Sequence, residues 1–478
     1  MNRKIKKLLI VFAGCAAAIV LTALIFVRLF NINTYRPGIE AAISEATGME
    51  VRVNGDAKLT LFPLPGVSLE NILIQNRGAD VVSAEKMEIE IRLLPLFRRE
   101  VLARQVRMIS PGFFITKDRS GRLNVGPGPD EKRPAEEERL PEPPDVKKIF
   151  IEKGHLLYTD EKSGGSTEAN ECDLEIENLS AGGEKFPVSL SLDGDFSCME
   201  VKARDFRTSE VHAVIKAREG RFEANPVTMK IFGGEGKGSI NFVAGKSPEY
   251  LVDFAITKLR FEEVLGAFGE KKSIRGEMEL ISHLTMKGKN ADEMKRTAQG
   301  ELSLRGKDLM HESLDLDRML EKYKTSQNFN LIDIGAVFVA GPLGPLLTKS
   351  YDFGRFYVAS LGGKSKIREL VSDWKINDGV AETKDVAFTT NRNRIALQGK
   401  IDLIHDRFDN MTVAALDEKG CVRFGQKIYG PFNRPRFARI STLRSIVGPV
   451  FSLLEDTQKL LKGGECEVFY AGSVQHPK

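Results

Sequence analysis

From residue 146 onward the chain swaps apolar and polar residues with a period of two, a spacing that fits strands and not helices. The pattern is clear in Val188-Ser189-Leu190-Ser191-Leu192, in Val227-Thr228-Met229-Lys230-Ile231 and in Tyr250-Leu251-Val252-Asp253-Phe254-Ala255-Ile256. Met87-Glu88-Ile89-Glu90-Ile91-Arg92-Leu93 repeats it earlier in the chain. Each such strand has one apolar and one wet face. The predicted fold class is therefore mainly β, dominated by a long antiparallel sheet with a few short helices.

A weak repeat runs through these strands, a glycine with apolar residues two and four positions after it. It recurs at Gly194, Gly238, Gly276, Gly300 and Gly399. Read as a turn glycine leading into a strand, it favours an antiparallel meander. The expected helices are residues 316–323 and 344–351, followed by a C-terminal segment, 441–461, in which Leu443, Val447, Val450, Leu454 and Leu461 fall at helical spacing and Pro449 interrupts.

A many-stranded sheet with one apolar face must cover it with a second sheet, with helices or with something else. Alternation by itself favours a closed sandwich or barrel, to which most period-two strands belong, over an open trough whose apolar faces line a groove.

At the N-terminus Arg3, Lys4, Lys6 and Lys7 precede an uncharged run of twenty residues, Leu8 to Val27. At a helical rise of about 1.5 Å per residue this run spans a hydrocarbon core of roughly 30 Å. It is expected to be a transmembrane helix with a cytoplasmic N-terminus and the bulk of the chain on the far side, which in a bacterium is the periplasm. Ala16-Ala17-Ala18 is followed by further apolar residues rather than polar ones, so cleavage of the run is not expected.

Seventy basic against sixty-six acidic residues give a net formal charge of +4, which argues against a nucleic-acid partner. The stretch from Gly126 to Asp145, rich in proline and glutamate, is expected to be a flexible loop. It is either a domain boundary or an insertion between strands of one sheet. The resulting division is 1–30 (cytoplasmic stub and membrane helix), 31–125 (helix and β module), 126–145 (loop), 146–440 (extended β domain) and 441–478 (C-terminal helix and strand).

The residues offer no catalytic constellation. The six histidines are dispersed without helical metal-ligand spacing. Gly245-Lys246-Ser247 and Gly363-Lys364-Ser365 lack the earlier glycine of a phosphate loop and read as turns, and no Gly-x-Ser-x-Gly elbow occurs. No catalytic residue, metal or cofactor is expected, and the protein reads as a non-enzyme. With Cys15 in the membrane run, four cysteines face an oxidising compartment. Cys421 with Cys466 is the favoured pair and Cys172 with Cys198 a second, although sequence does not fix the connectivity.

Residues 35–125 carry a more specific signal. Pro37 opens a short amphipathic helix bearing Ile39, Ala42, Ile43 and Ala46, with Gly48 at its C-cap. There follow Thr47-Gly48-Met49-Glu50-Val51-Arg52-Val53-Asn54-Gly55, then Leu59-Thr60-Leu61-Phe62-Pro63-Leu64-Pro65-Gly66-Val67, Leu93-Leu94-Pro95-Leu96, Ser110-Pro111 and Asp118-Arg119-Ser120-Gly121-Arg122-Leu123-Asn124. This succession resembles the start of the AsmA family of bacterial inner-membrane-anchored envelope proteins. Gly300-Glu301-Leu302-Ser303-Leu304-Arg305-Gly306 and Gly399-Lys400-Ile401-Asp402-Leu403 are similar to its C-terminal region. The resemblance implies a taco-like apolar β-groove, akin to that of bridge-like lipid transfer proteins. It would carry phospholipid from the inner membrane toward the outer one, with an outer-envelope protein as a further partner. The residues expected to line it are Val188, Leu190, Leu192, Ile240, Phe242, Phe254 and Ile256. An alternative is a non-enzymatic assembly factor affecting outer-membrane protein biogenesis.

Overall fold

The computed structural model describes residues 33, 36–60, 65–91, 103–125, 146–181, 189–203, 206–267, 274–312, 314–323, 363–438, 441–442 and 466–477. The expected membrane helix at 8–27, the loop 126–145, the helix at 344–351 and Val188 lie outside them. Among the described residues no helix is long and apolar enough to cross a membrane.

The chain is mainly β and forms two compact units: Met1–Arg204 with Ser209–Phe222, and Asp205–Thr208 with Glu223–Lys478. The first begins with helix α1 (Arg36–Thr47), followed by β1 (Glu50–Val53), β2 (Ala57–Thr60), β3 (Gly66–Asn76) and β4 (Ala79–Ile91). Then come β5 (Ala103–Ile109), β6 (Gly112–Lys117), β7 (Lys148–Asp160), β8 (Gly165–Ala181), β9 (Leu190–Ala203) and β10 (Phe206–Arg218).

Helix α1 ends where the sequence reading places it: Gly48 has φ +68°, the left-handed conformation that suits glycine at a C-cap. The helix also guards a sheet edge. The Val53 N–H donates to Glu40 Oε1 at 2.7 Å and the Val51 N–H to Ser44 Oγ at 3.1 Å, so β1 presents neither donor to another chain. Ile39 and Ile43 of α1 pack on a core of Val51, Val53, Leu69, Ile72, Ile74 and Met87.

The Asp118–Asn124 stretch closes a turn. Asp118 Oδ1 accepts the N–H groups of Ser120 and Arg122 at 2.8 and 2.9 Å. Hydrogen bonds led by that from the Ser120 hydroxyl hold its carboxyl well below the usual carboxylate range. The Asn124 side chain then mimics a strand, accepting from Thr116 N–H and donating to Phe114 C=O.

The expectation of an antiparallel sheet throughout is corrected at one place. β5 and β6 both pair with β7 in parallel. A parallel pair needs a long return connection, and the run that joins β6 to β7 contains the Pro/Glu-rich stretch. Residues on either side of that stretch therefore share one sheet.

The second unit contains β11 (Arg221–Ile231), β12 (Gly234–Val243), β13 (Glu249–Arg260), α2 (Phe261–Ala267), β14 (Ile274–Arg275), β15 (Glu277–Lys287), α3 (Ala291–Thr297), β16 (Gln299–His311) and α4 (Leu316–Tyr323). It continues with β17 (Ser365–Asn377), β18 (Val380–Thr389), β19 (Arg394–Asp402), β20 (Arg407–Leu416), β21 (Val422–Pro431), β22 (Arg436–Phe437) and β23 (Ser441–Thr442). From β12 the main ladder is antiparallel and runs β12, β13, β15, β16, β17, β18, β19, β20, β21. The helix expected at 316–323 is α4. Ser441 and Thr442, expected to open a helix, instead pair with β21, and the rest of that expected helix lies outside the described residues.

The glycine repeat also differs from its sequence reading. Gly194, Gly238, Gly300 and Gly399 sit inside strands, not in the turns before them. Gly276, Gly300 and Gly399 share φ values of 138°, 138° and 139°, a region that a Cβ disfavours.

Candidate functional site

Register decides which side chains meet. In the second unit it builds transverse rows on one face of the sheet. Ile240 lies opposite Val252, Val252 opposite Leu284, Leu284 opposite Gly300 and Gly300 opposite Ile376. A neighbouring row runs Phe242, Tyr250, Met286. A third runs Gly238, Phe254, Ser282, Leu302, Trp374, and a fourth Gly236, Ile256, Leu280, Leu304, Ser372, Val386. Gly236 and Gly238 leave room for the Phe254 ring, which a Cβ at either position would strike at 2.8 or 2.6 Å.

The reverse face of the same strands is charged. Asp253 Oδ1 and His283 Nδ1, on directly opposed residues, lie 2.6 Å apart, and Lys287 Nζ lies 2.7 Å from Glu249. Arg305 meets Asp373 at 2.7 Å and Lys384 meets Glu301 at 3.0 Å. These largely exposed cross-strand pairs, of which Asp373 is the most buried member, each contribute little to stability, but they fix which face is wet.

Burial is uneven along the apolar face. On β12, β13 and β15 the side chains of Phe242, Tyr250, Val252, Phe254, Leu284 and Met286 are half-buried, and Ile240 keeps 40 % of its surface in solvent. From β17 on the face is closed: Trp374, Phe388, Ile395, Leu397 and Val413 are 0 or 1 % exposed. Leu316 and Leu320 of α4, Phe261 of α2 and Phe432 belong to the same core.

The first unit repeats the design. Met87, Met108, Ile151, Leu174 and Phe196 form one row, and Ile89, Val106, Ile149, Ile176 and Gly194 the next. From β5 to β9 the side chains of these rows are half-buried. The reverse face holds Glu88, Arg107, Phe150, Glu175 and Asp195 in register, with the Arg107 guanidinium 4.7 Å from the centre of the Phe150 ring. Lys148 pairs there with Glu177, and Arg218 meets Asp193 at 2.7 Å.

Of the residues expected to line a groove, Ile240, Phe242, Phe254 and Ile256 share the one face in the second unit, with Ile256 buried and the others more open. Leu190 and Leu192 are in the first unit, on the face of β9 that carries Phe196. Leu284, Met286 and the Met108–Ile151–Leu174 row were not singled out from sequence. Their alternation was visible, but their neighbours across the sheet are set by register alone.

Sulfur bridges join Cys172 to Cys198, directly opposed on β8 and β9, and Cys421 to Cys466. The second anchors the C-terminal segment, whose Phe469, Tyr470 and Val474 cover an apolar patch of Val371, Ala387, Ala396 and Ala414 on the reverse face of the second unit. Four histidines, His155, His212, His283 and His405, stand beside carboxylates. His155, His212 and His283 join neighbouring strands, and His405 is held by Asp402 within one turn. Asp417, Cys421 and Cys466 stand close together, but both sulfurs are committed to each other.

The model of the AsmA family matches residues 1–206. No curated protein matches the chain.

Proposed function

Taking membership of the AsmA family, matched over residues 1–206, as the premise, we propose that this protein binds phospholipid on the apolar faces of its sheets and supports lipid traffic between the membranes of a bacterial envelope. The observation that carries this reading is the pair of half-open apolar surfaces, β5–β9 in the first unit and β12–β15 in the second, each backed by a charged reverse face. Contiguous apolar surface of this kind, left partly in water, marks an interaction site. Acyl chains suit it because they bring no polar group that would need a partner.

Residues 8–27 anchor the chain in the inner membrane, with the sheets in the periplasm and the acyl chains shielded while headgroups stay in water. No covalent step is required, so the protein acts without a catalytic residue or cofactor. An outer-envelope protein is a further partner of the same activity.

The test is lipid mass spectrometry of the purified full chain, comparing wild type with I240D and F254D. Phospholipid in a fixed ratio, lost in folded variants, supports the reading. Lipid no higher than in an unrelated β protein overturns it and favours an assembly factor that acts on outer-membrane protein maturation.

A further inference from the structure

We infer that the apolar path of the second unit is blind: an acyl chain lies across β12, β13 and β15 and stops at the wall around Trp374. This rests on the lipid-binding reading above and adds where the lipid ends.

Two observations on one face carry it. The Ile240–Val252–Leu284 row is half-open, with Ile240 exposed and Val252 and Leu284 half-buried, whereas Trp374, two strands beyond β15, is fully buried, as are Leu397 and Val413 farther along the same ladder. Trp374 is also fixed in place, its Nε1–H donating to the hydroxyl of Ser372 at 2.9 Å, with both residues 0 % exposed. A close-packed interior of this kind has no room for a chain of methylenes. A ligand entering over β12 therefore meets a wall, and this unit holds lipid without passing it on through β17–β21.

The occupant is an acyl chain rather than extended peptide. Across the paired positions of β12, β13 and β15 on this face, the only polar side-chain groups are the hydroxyls of Ser282 and Tyr250. An extended peptide laid there would leave its own N–H and C=O groups without partners.

Trp374 is the one tryptophan of the chain, so its fluorescence reports on the wall alone. The experiment mixes the full chain with vesicles of phosphatidylcholine brominated on its acyl chains, bromine being a contact quencher. It compares wild type with I240W, with F254W as a second probe of the open stretch. The control is L251W, on the charged face, where Leu251 is 38 % exposed. The expected result is no quenching in wild type or L251W, and loss of the added emission in I240W and F254W. Quenching of Trp374 in wild type overturns the blind end while leaving lipid binding intact. Absence of quenching in both I240W and F254W overturns lipid binding and this inference together. The same holds if I240W is quenched equally by vesicles brominated only in the headgroup, and a helix of a partner protein then becomes the occupant to seek.

Discussion

The phenol of Tyr470 donates to Asp385 Oδ1 at 2.5 Å, joining the C-terminal segment to β18 across 85 residues of sequence. The other oxygen of Asp385 accepts both the N–H and the hydroxyl of Ser473, at 3.0 and 2.7 Å. The Val474 N–H returns to the Tyr470 hydroxyl at 3.1 Å, and Arg394 reaches Val474 C=O at 3.3 Å. Burial, with help from Asp385, pushes the Tyr470 phenol up, so it remains a donor. One carboxylate thus organises the segment that covers the reverse-face patch.

Replacing Asp385 with alanine strands three donors at once. The expected loss is about 2–3 kcal/mol, with the Cys421–Cys466 bridge still tethering the segment. Limited proteolysis reads this directly: cleavage after Tyr470 is fast in D385A and slow in wild type and in the exposed-site control K419A. Equal cleavage rates would show that apolar burial of Val474 suffices without the carboxylate.

Acid should weaken the second unit through His311. Burial pushes this imidazole down to about 4 from its ordinary 6.5. The unfolded chain therefore takes up the proton first, so the group's contribution is complete above about pH 6.5 and is lost as pH falls toward 4. The loss is on the order of 3 kcal/mol at most. Urea midpoints measured across that window should fall in wild type and fall less in H311Q; parallel curves would assign the acid limb to other groups.

Gly300 is a strand residue at φ +138° whose added Cβ would land on the carbonyl oxygen of His283. G300A is expected to destabilise by about 2–4 kcal/mol, combining backbone strain with displacement of β15. Gly245, in the turn between β12 and β13, has nothing within 4 Å of such a Cβ, so G245A should be near neutral. Similar urea midpoints for the two variants would contradict the close approach.

The N-terminal edge offers a local test. Removing the Glu40 and Ser44 side chains leaves the Val53 and Val51 N–H groups free, at a cost of about 1 kcal/mol each. Amide exchange at those two positions should accelerate in E40A/S44A while Leu69, in the same core, is little changed. Uniform acceleration would mean that α1 stabilises the whole module rather than its edge.

The period-two alternation by itself determined that residues such as Val252 and Phe254 point one way and Asp253 the other, because successive side chains of a strand leave opposite faces. Other local patterns determined the short helix at 316–323, the glycine cap at residue 48 and the family likeness, all of which depend on residues close in sequence. Tertiary structure decided what local pattern does not encode. Parallel pairing of β7 with β5 and β6 depends on a return across a long connection. The meeting of Ile240, Val252 and Leu284 depends on register between strands. The same alternation that stays half-open at Phe254 is sealed at Trp374, which shares one buried core with Phe261, Leu316, Leu320 and Phe432 from distant parts of the chain.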